Sequence, residues 1–188
     1  MNNRTLHRVW LGPNPQPELD GQTAAISSSW WNPVWTEETA HLLHLRPHHW
    51  EHATFAGSSN VIRLHALKVY GGIYCDWDIH LLRPIDELLQ YPAWVCRQPD
   101  GVLCNAAFGA VPDHPWIRAM LDNYGDQRIQ DAAYGCHILE KYITPDVHIF
   151  PSEYWYPFGF DQPRCEPGPN AFAYHDWEGS WLDNKHSQ

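Results

Sequence analysis

Two carboxylates set two residues apart, Asp76 and Asp78, are the side chains of this sequence best placed to do chemistry. They follow Ile73, Tyr74 and Cys75, a short run with strand character, and Trp77 stands between them. Side chains alternate along a strand, so both carboxylates are predicted to point one way and Trp77 the other. In open α/β sheets, ligands bind outside the carboxyl ends of the strands. Two carboxylates converging there repel unless a cation lies between them. Oxygen ligands suit Mg2+ or Mn2+, which keep waters and bridge to substrate phosphates. Taken alone, the tripeptide reads more readily as a solvated turn carrying two acids.

The thirteen histidines suggest a different metal chemistry. His41 and His44 have i, i+3 spacing, and His48, His49 and His52 cluster beyond Pro47. No glutamate completes an HExxH pattern, and the five cysteines (Cys75, Cys96, Cys104, Cys136 and Cys165) contain no CxxC. A zinc site therefore lacks its usual ligand spacing, and these histidines read as surface residues. The thiols are expected to be free and buried, as in a reducing compartment.

The elements that must position the acids are partly visible. Ser58, Ser59 and Asn60 offer N-cap chemistry, and Val61, Leu64, Leu67 and Tyr70 form one apolar helical stripe. Gly71-Gly72 then ends the helix and delivers the strand Ile73–Cys75. Thr5–Leu11 reads as a first strand, Gln16–Asn32 as a polar, turn-rich stretch, and Trp35–Leu45 as a short helix. Trp94–Cys96 and Val102–Ala110 read as strands; Ile85–Gln90, Pro115–Asn123 and Ala132–Tyr142 read as helical. From Val147 onward, aromatic and proline-rich fragments are expected to pack over the sheet. The class is mixed α/β.

Composition narrows the functional classes. At 188 residues, one domain is expected. With 22 acidic against 12 basic side chains the net charge is -10, which disfavours nonspecific binding to nucleic acid or anionic lipid. No apolar run approaches the ~20 residues that cross a bilayer, and the first residues lack a leader-like apolar stretch.

The stretch from Asn60 to Asp78, with Arg63, Leu67, Gly71, Gly72, Tyr74 and Asp76 between, resembles the sugar-binding DxD segment of glycosyltransferase family 32. That family includes capsular-polysaccharide and yeast mannosyltransferase-like enzymes and is related to the glucosylating clostridial toxins. Further stretches are similar in the family's order: Leu6–Gly12, Ser29-Trp30 with Asn32-Pro33, Leu103–Ala110 with His114-Pro115, and His175–Trp181.

The resemblance implies a single, compact GT-A domain over residues 1–188, with a Rossmann-like mixed sheet flanked by helices. It also implies a UDP- or GDP-hexose donor, a saccharide or lipid-linked saccharide acceptor, Mn2+ or Mg2+ as cofactor, and retention of anomeric configuration. Asp78 would ligate the metal directly, and Asp76 through water or the donor's hydroxyls. Arg63 would bond the donor sugar or diphosphate, unless it is a surface ion pair, and joins the two acids as a catalytic candidate. Val9, Trp10 and Leu11 would hold the base, and Tyr74 and Asn105 would face donor or acceptor, though core packing explains them too. His175 would be a third metal ligand, with Ser180 and Trp181 closing over the donor. Asn60 stands where the family has aspartate, and a plain helix cap accounts for it equally well. A catalytically inactive, lectin-like protein of the same fold is the alternative. A cytoplasmic location is the expectation.

Overall fold

The computed structural model describes residues 4–45, 54–124 and 134–178. Strand β1 (Leu6–Val9) is followed by α1 (Gly21–Ser27), β2 (Val34–Trp35), α2 (Phe55–Tyr70), β3 (Gly72–Cys75) and β4 (Ile79–Leu81). Then come β5 (Ala93–Arg97), β6 (Leu103–Ala110), α3 (Pro115–Asp122), α4 (Tyr134–Lys141), β7 (Val147–Phe150) and β8 (Ala173–His175). Six strands form one sheet in the order β2-β1-β3-β6-β5-β7, and β4 pairs with β8 in a second, two-stranded sheet. Within the large sheet β6 runs antiparallel to both its neighbours, while β1 is parallel to β2 and β3, and β5 to β7. The expected mixed α/β class is what forms.

Both faces of the sheet are covered. Val61, Leu64 and Leu67 of α2 pack with Trp116, Ile117, Ile138 and Phe108 on one face. On the other, Trp94, Trp155, Tyr156 and Phe172 bury the aromatic surplus of the C-terminal third against Ile73 and Cys75. Burial of such large rings supplies much of the driving force for a domain of this size.

The junction that aims β3 depends on two glycines. Gly71 has φ 62°, and a Cβ there would sit 2.5 Å from Pro112. Gly72 has φ 98°, and a Cβ would collide with the Thr5 carbonyl. Only glycine satisfies both the left-handed backbone and the close approach to β1.

Local expectations fail where capping partners lie outside the apparent pattern. Helix α2 starts at Phe55, capped by the Thr54 hydroxyl, which accepts from Gly57 N at 3.1 Å. Ser58, Ser59 and Asn60 therefore lie inside the helix, and the cap reading of Asn60 is wrong. The stretch Gln16–Asn32 contains α1, nucleated by Asp20, whose carboxylate accepts from the backbone N–H groups of Gln22 and Thr23. Trp35–Leu45 yields only the end of β2 and a single 3-10 turn at Ala40–Leu43. The helix expected over Ala132–Tyr142 is α4; residues 132 and 133 lie outside the described residues. Cys75, Cys96 and Cys104 are buried as expected, whereas Cys136 is half-buried and Cys165 exposed. Among the described residues, no helix is long and apolar enough to cross a membrane.

Candidate active site

Asp76 and Asp78 lie just past β3, in a turn closed by Ile79 N donating to Asp76 O at 3.3 Å. The turn, rather than strand alternation, brings the two carboxylates together. Antiparallel β4·β8 pairing sets His175 opposite Ile79, and so lays it beside Asp78. The His175 Nε2 to Asp78 Oδ2 distance is 3.0 Å. Ligand atoms of Asp76, Asp78 and His175 all lie within 4.8 Å of one another. This is the one such group of three found among the described residues.

The chain leaving β8 wraps the same carboxylate. Asp176 N donates to Asp78 O at 2.9 Å and Glu178 N to Asp78 Oδ2 at 3.1 Å. Trp177 between them has φ 57°, a left-handed backbone that a bulky residue rarely adopts. Its indole N–H is held by Phe158 O at 3.0 Å and its ring lies 4.1 Å from His175. Such strain, held in place by its surroundings, is a feature of functional sites. Burial pushes Asp78 up, but the hydrogen bond and charge of His175, with the backbone N–H groups, outweigh it and hold the carboxyl below its ordinary value.

Asp76 has different surroundings. Its Oδ1 accepts from Tyr74 OH at 2.5 Å and pairs with Arg63 Nη2 at 3.3 Å. Burial raises its pKa, only partly countered by Arg63 and reinforced by the neighbouring Asp78. Arg63 is 6% exposed, which rules out a surface ion pair. It donates from Nη1 to Asn105 O at 2.7 Å, from Nη2 to Ser59 Oγ at 2.8 Å and from Nε to Ser59 O at 3.3 Å. Its guanidinium sits 4.4 Å over the Tyr74 ring. Tyr74 is thereby fixed in the core, as core packing would have it, while its hydroxyl touches Asp76.

Asn105 reaches this cluster because β6 bulges. Val95 pairs with Phe108, but the next residue of β5, Cys96, pairs with Cys104. Asn105, Ala106 and Ala107 are thus extra on β6 relative to β5, while Asp76 N still binds Ala106 O at 2.7 Å. A bulge re-aims side chains, and here it turns the Asn105 amide toward α2. Asn105 Nδ2 donates to Asn60 Oδ1 at 2.7 Å. Gly135 of α4 lies so near both amides that any Cβ there would overlap them.

The base-binding candidates divide. Val9 is a core residue whose carbonyl accepts from Trp77 Nε1 at 3.0 Å. Leu11 is partly buried and packs against the same core. Trp10 is half-buried and meets Trp77 edge-to-face, with centroids 6.3 Å apart. Ser180 and Trp181 lie outside the described residues, as do His48, His49 and His52. His41 and His44 are exposed.

Sequence reasoning misses three contributors. Trp77 anchors the turn to β1. Arg8, 2% exposed, lies 5.5 Å from the Trp77 ring; Nε and Nη2 find no hydrogen-bond partner among the described residues. His80 spans Asp20 Oδ2 at 2.9 Å and Asp176 Oδ2 at 3.3 Å, tying α1 to the segment after β8. Of these, only the position of His80, two residues past Asp78, is a usable signal.

Two carboxylates and an imidazole make a donor set that fits a divalent cation. The buried His175 Nδ1 has no partner among the described residues, so His175 is committed to the site through Nε2.

The chain is similar in sequence and in fold to known proteins. Inositol phosphoceramide mannosyltransferase 3 of Schizosaccharomyces pombe is 38% identical over 65 residues, 35% of this chain and 18% of that protein. Inositol phosphoceramide mannosyltransferase 1 of the same organism is 24% identical over a 204-residue alignment, 95% of this chain and 61% of that protein. The chain spans less than two thirds of the length of either. The solved structure of the PaToxG Glycosyltransferase superposes with a TM-score of 0.52 at 16% identity, over 76% of this chain and 70% of that one. The fold is therefore of the GT-A glycosyltransferase type. Residues 20–94 match the family model described as "Glycosyltransferase sugar-binding region containing DXD motif".

Proposed function

We propose that this protein is a metal-dependent, retaining glycosyltransferase that moves a hexose from a nucleoside diphosphate sugar to a hydroxyl of a saccharide or lipid-linked saccharide. The observation that carries this reading is the convergence of Asp76, Asp78 and His175 beside a buried arginine, at the end of β3. Asp78 and His175 are the direct ligands; Asp76 acts through water or the donor's hydroxyls. A bound divalent cation supplies charge neutralisation for the departing diphosphate. The mixed oxygen and nitrogen donors favour Mn2+ over Mg2+.

The protein's own groups do the rest. Arg63 spends its hydrogen bonds on Ser59, Asn105 and Asp76, so it positions Asp76 and Asn105 and places a positive charge under the sugar site. Trp10 offers an aromatic face for the base. Asn60 and Asn105, already joined amide to amide, face the sugar hydroxyls. The acceptor oxygen attacks the face from which the diphosphate leaves, which accounts for retention. The similarity to inositol phosphoceramide mannosyltransferases makes mannose the first hexose to test.

The test is nucleotide release from a panel of UDP- and GDP-sugars, with and without Mn2+. Metal-dependent release that Asp78→Ala abolishes is the expected result. Sugar binding that ignores chelator, with no release from any donor, would establish the lectin-like alternative instead.

A further inference from the structure

The face of the sheet away from α2 carries a second concavity, at the end of the β4·β8 ribbon remote from Asp78 and His175. The ribbon pairs Ile79 with His175 and Leu81 with Ala173, and Leu82 N then donates to Phe172 O at 2.8 Å. Phe172 stands three residues before His175, about 10 Å along the strand. Its own N–H donates to Tyr154 O at 2.8 Å. The residues after β4 meet two 3-10 turns there, Asp86–Gln90 and Ser152–Tyr154. A cleft of about 280 Å3 opens between these segments. We propose that this cleft is a second ligand site, separate from the donor site, and that it binds one neutral hexopyranose.

The lining selects the class of ligand. Rings make up the inner part: buried Phe172, with half-buried Tyr154 and Tyr91. Hydrogen-bonding groups make up the rim, where Glu87, Gln90 and Asn170 are exposed beside half-buried Arg83. A wholly apolar ligand would cover those polar groups without satisfying them, which is costly. An anion gains little, because Arg83 Nη2 is already paired with Glu87 Oε1 at 3.1 Å and the two charges cancel. A pyranose matches both parts. Its C–H face lies on rings, and its hydroxyls donate and accept, as the amides of Gln90 and Asn170 do. The volume is at the bottom of the ~300–1,000 Å3 range of small-molecule sites, which suits a single ring rather than a chain.

Arg83 is the part of the site already built. Its guanidinium lies 4.0 Å from the centre of the Phe172 ring. Nη2 donates to Glu87 Oε1 at 3.1 Å and to Asn170 O at 3.3 Å, so the fork is fixed without a ligand. Nε is buried and has no hydrogen-bond partner among the described residues. Buried N–H groups are nearly always paired, and a ligand hydroxyl oxygen supplies the missing acceptor. Asp76, Asp78 and His175 do not line the cleft, so the assignment does not rest on the transferase reading.

The experiment is saturation-transfer NMR on the full chain in the presence of EDTA, with methyl α-mannopyranoside and methyl β-glucopyranoside as probes. Saturation transfer to at least one glycoside is the expected result. Arg83→Met keeps an aliphatic stem over Phe172 but removes the guanidinium, and should weaken binding at least about ten-fold. Gln90→Trp fills the cleft from an exposed position and should abolish binding, with an unchanged thermal midpoint as the check on folding. Inorganic phosphate should not displace the glycoside. No saturation transfer to either probe would overturn the site. A signal that survives Gln90→Trp and disappears in Asp78→Ala would place the sugar at the metal-ligand trio, with the same consequence. Displacement by phosphate would overturn the neutral-ligand assignment. None of these readouts depends on nucleotide release, so a chain without transferase activity leaves the site standing.

Discussion

Asp76 and Asp78 are neighbours held by opposite means, and the contrast divides the site. Asp76 is fixed from within the sheet by Tyr74 and Arg63, residues close to it in sequence and packed in the core. Its charge is tolerated against the cost of burial, so its pKa is raised. Asp78 is fixed by His175 and by backbone N–H groups that arrive about a hundred residues later, and its pKa is lowered. One half is a buried support that keeps a carboxylate in position. The other presents an ionised carboxylate and an imidazole to a ligand.

Breaking the two halves should therefore give different signatures. Asp78→Ala removes a proposed direct ligand and is expected to lower metal-dependent nucleotide release by at least about a thousand-fold. Its thermal midpoint should stay close to that of the parent, because the carboxylate faces the site rather than the core. Arg63→Met acts on the opposite half. It leaves the Asp76 carboxylate semi-buried without its cation, and is expected to cost about 3 kcal/mol in urea unfolding, alongside lost activity. A stable Arg63→Met variant, or an unfolded Asp78→Ala variant, would break the distinction.

Acid provides a third probe, aimed at the β1 support rather than the ligand face. His7 is fully buried, donates from one ring nitrogen to Gly71 O at 2.8 Å and accepts from Trp35 Nε1 at 3.1 Å at the other. Burial lowers its pKa from 6.5 to about 4. Above pH 6.5 both folded and unfolded chains are neutral here, so its full contribution is present. As pH falls from about 6.5 to about 4 the unfolded chain takes up a proton that the folded chain refuses. Stability should drop by about 3 kcal/mol over that window, measured as a shift in urea midpoint. His7→Gln should flatten that slope.

The smallest effect sharpens the comparison most. His175→Ala should weaken Mn2+ binding about ten- to hundred-fold in an EPR titration, with little change in unfolding midpoint. It should also return Asp78 toward the ordinary carboxylate range, since His175 is what lowers it. A change in unfolding midpoint without a change in metal affinity would reassign His175 to the core.

Much of the inner half is legible in the amino-acid sequence. Gly71-Gly72, Tyr74, Asp76 and Arg63 lie within one helix–strand unit, where spacing and turn chemistry determine geometry locally. Even there the start of α2 escapes the pattern, because the Thr54 cap lies outside the apolar stripe. Asn60 consequently changes meaning, from a helix cap to a buried amide bound to Asn105. Helix α1 is hidden because its nucleus is a single aspartate in a polar stretch, stabilised by Thr23 and by His80 from β4. The aim of Asn105 comes from a β6 bulge that no periodicity announces.

By itself, then, the sequence determined the paired acids and the glycine junction that presents them, and through resemblance it singled out Arg63 and Tyr74. It also named His175 as a candidate through resemblance, without placing it. Only the tertiary structure decided that His175 meets Asp78, that Arg63 is buried rather than a surface cation, and that Asn105 meets Asn60. The reason is the range of the forces involved. Caps, turns and helical stripes are set by residues a few positions apart. The β4·β8 register and the packing of α4 on β6 are set by burial across the whole fold.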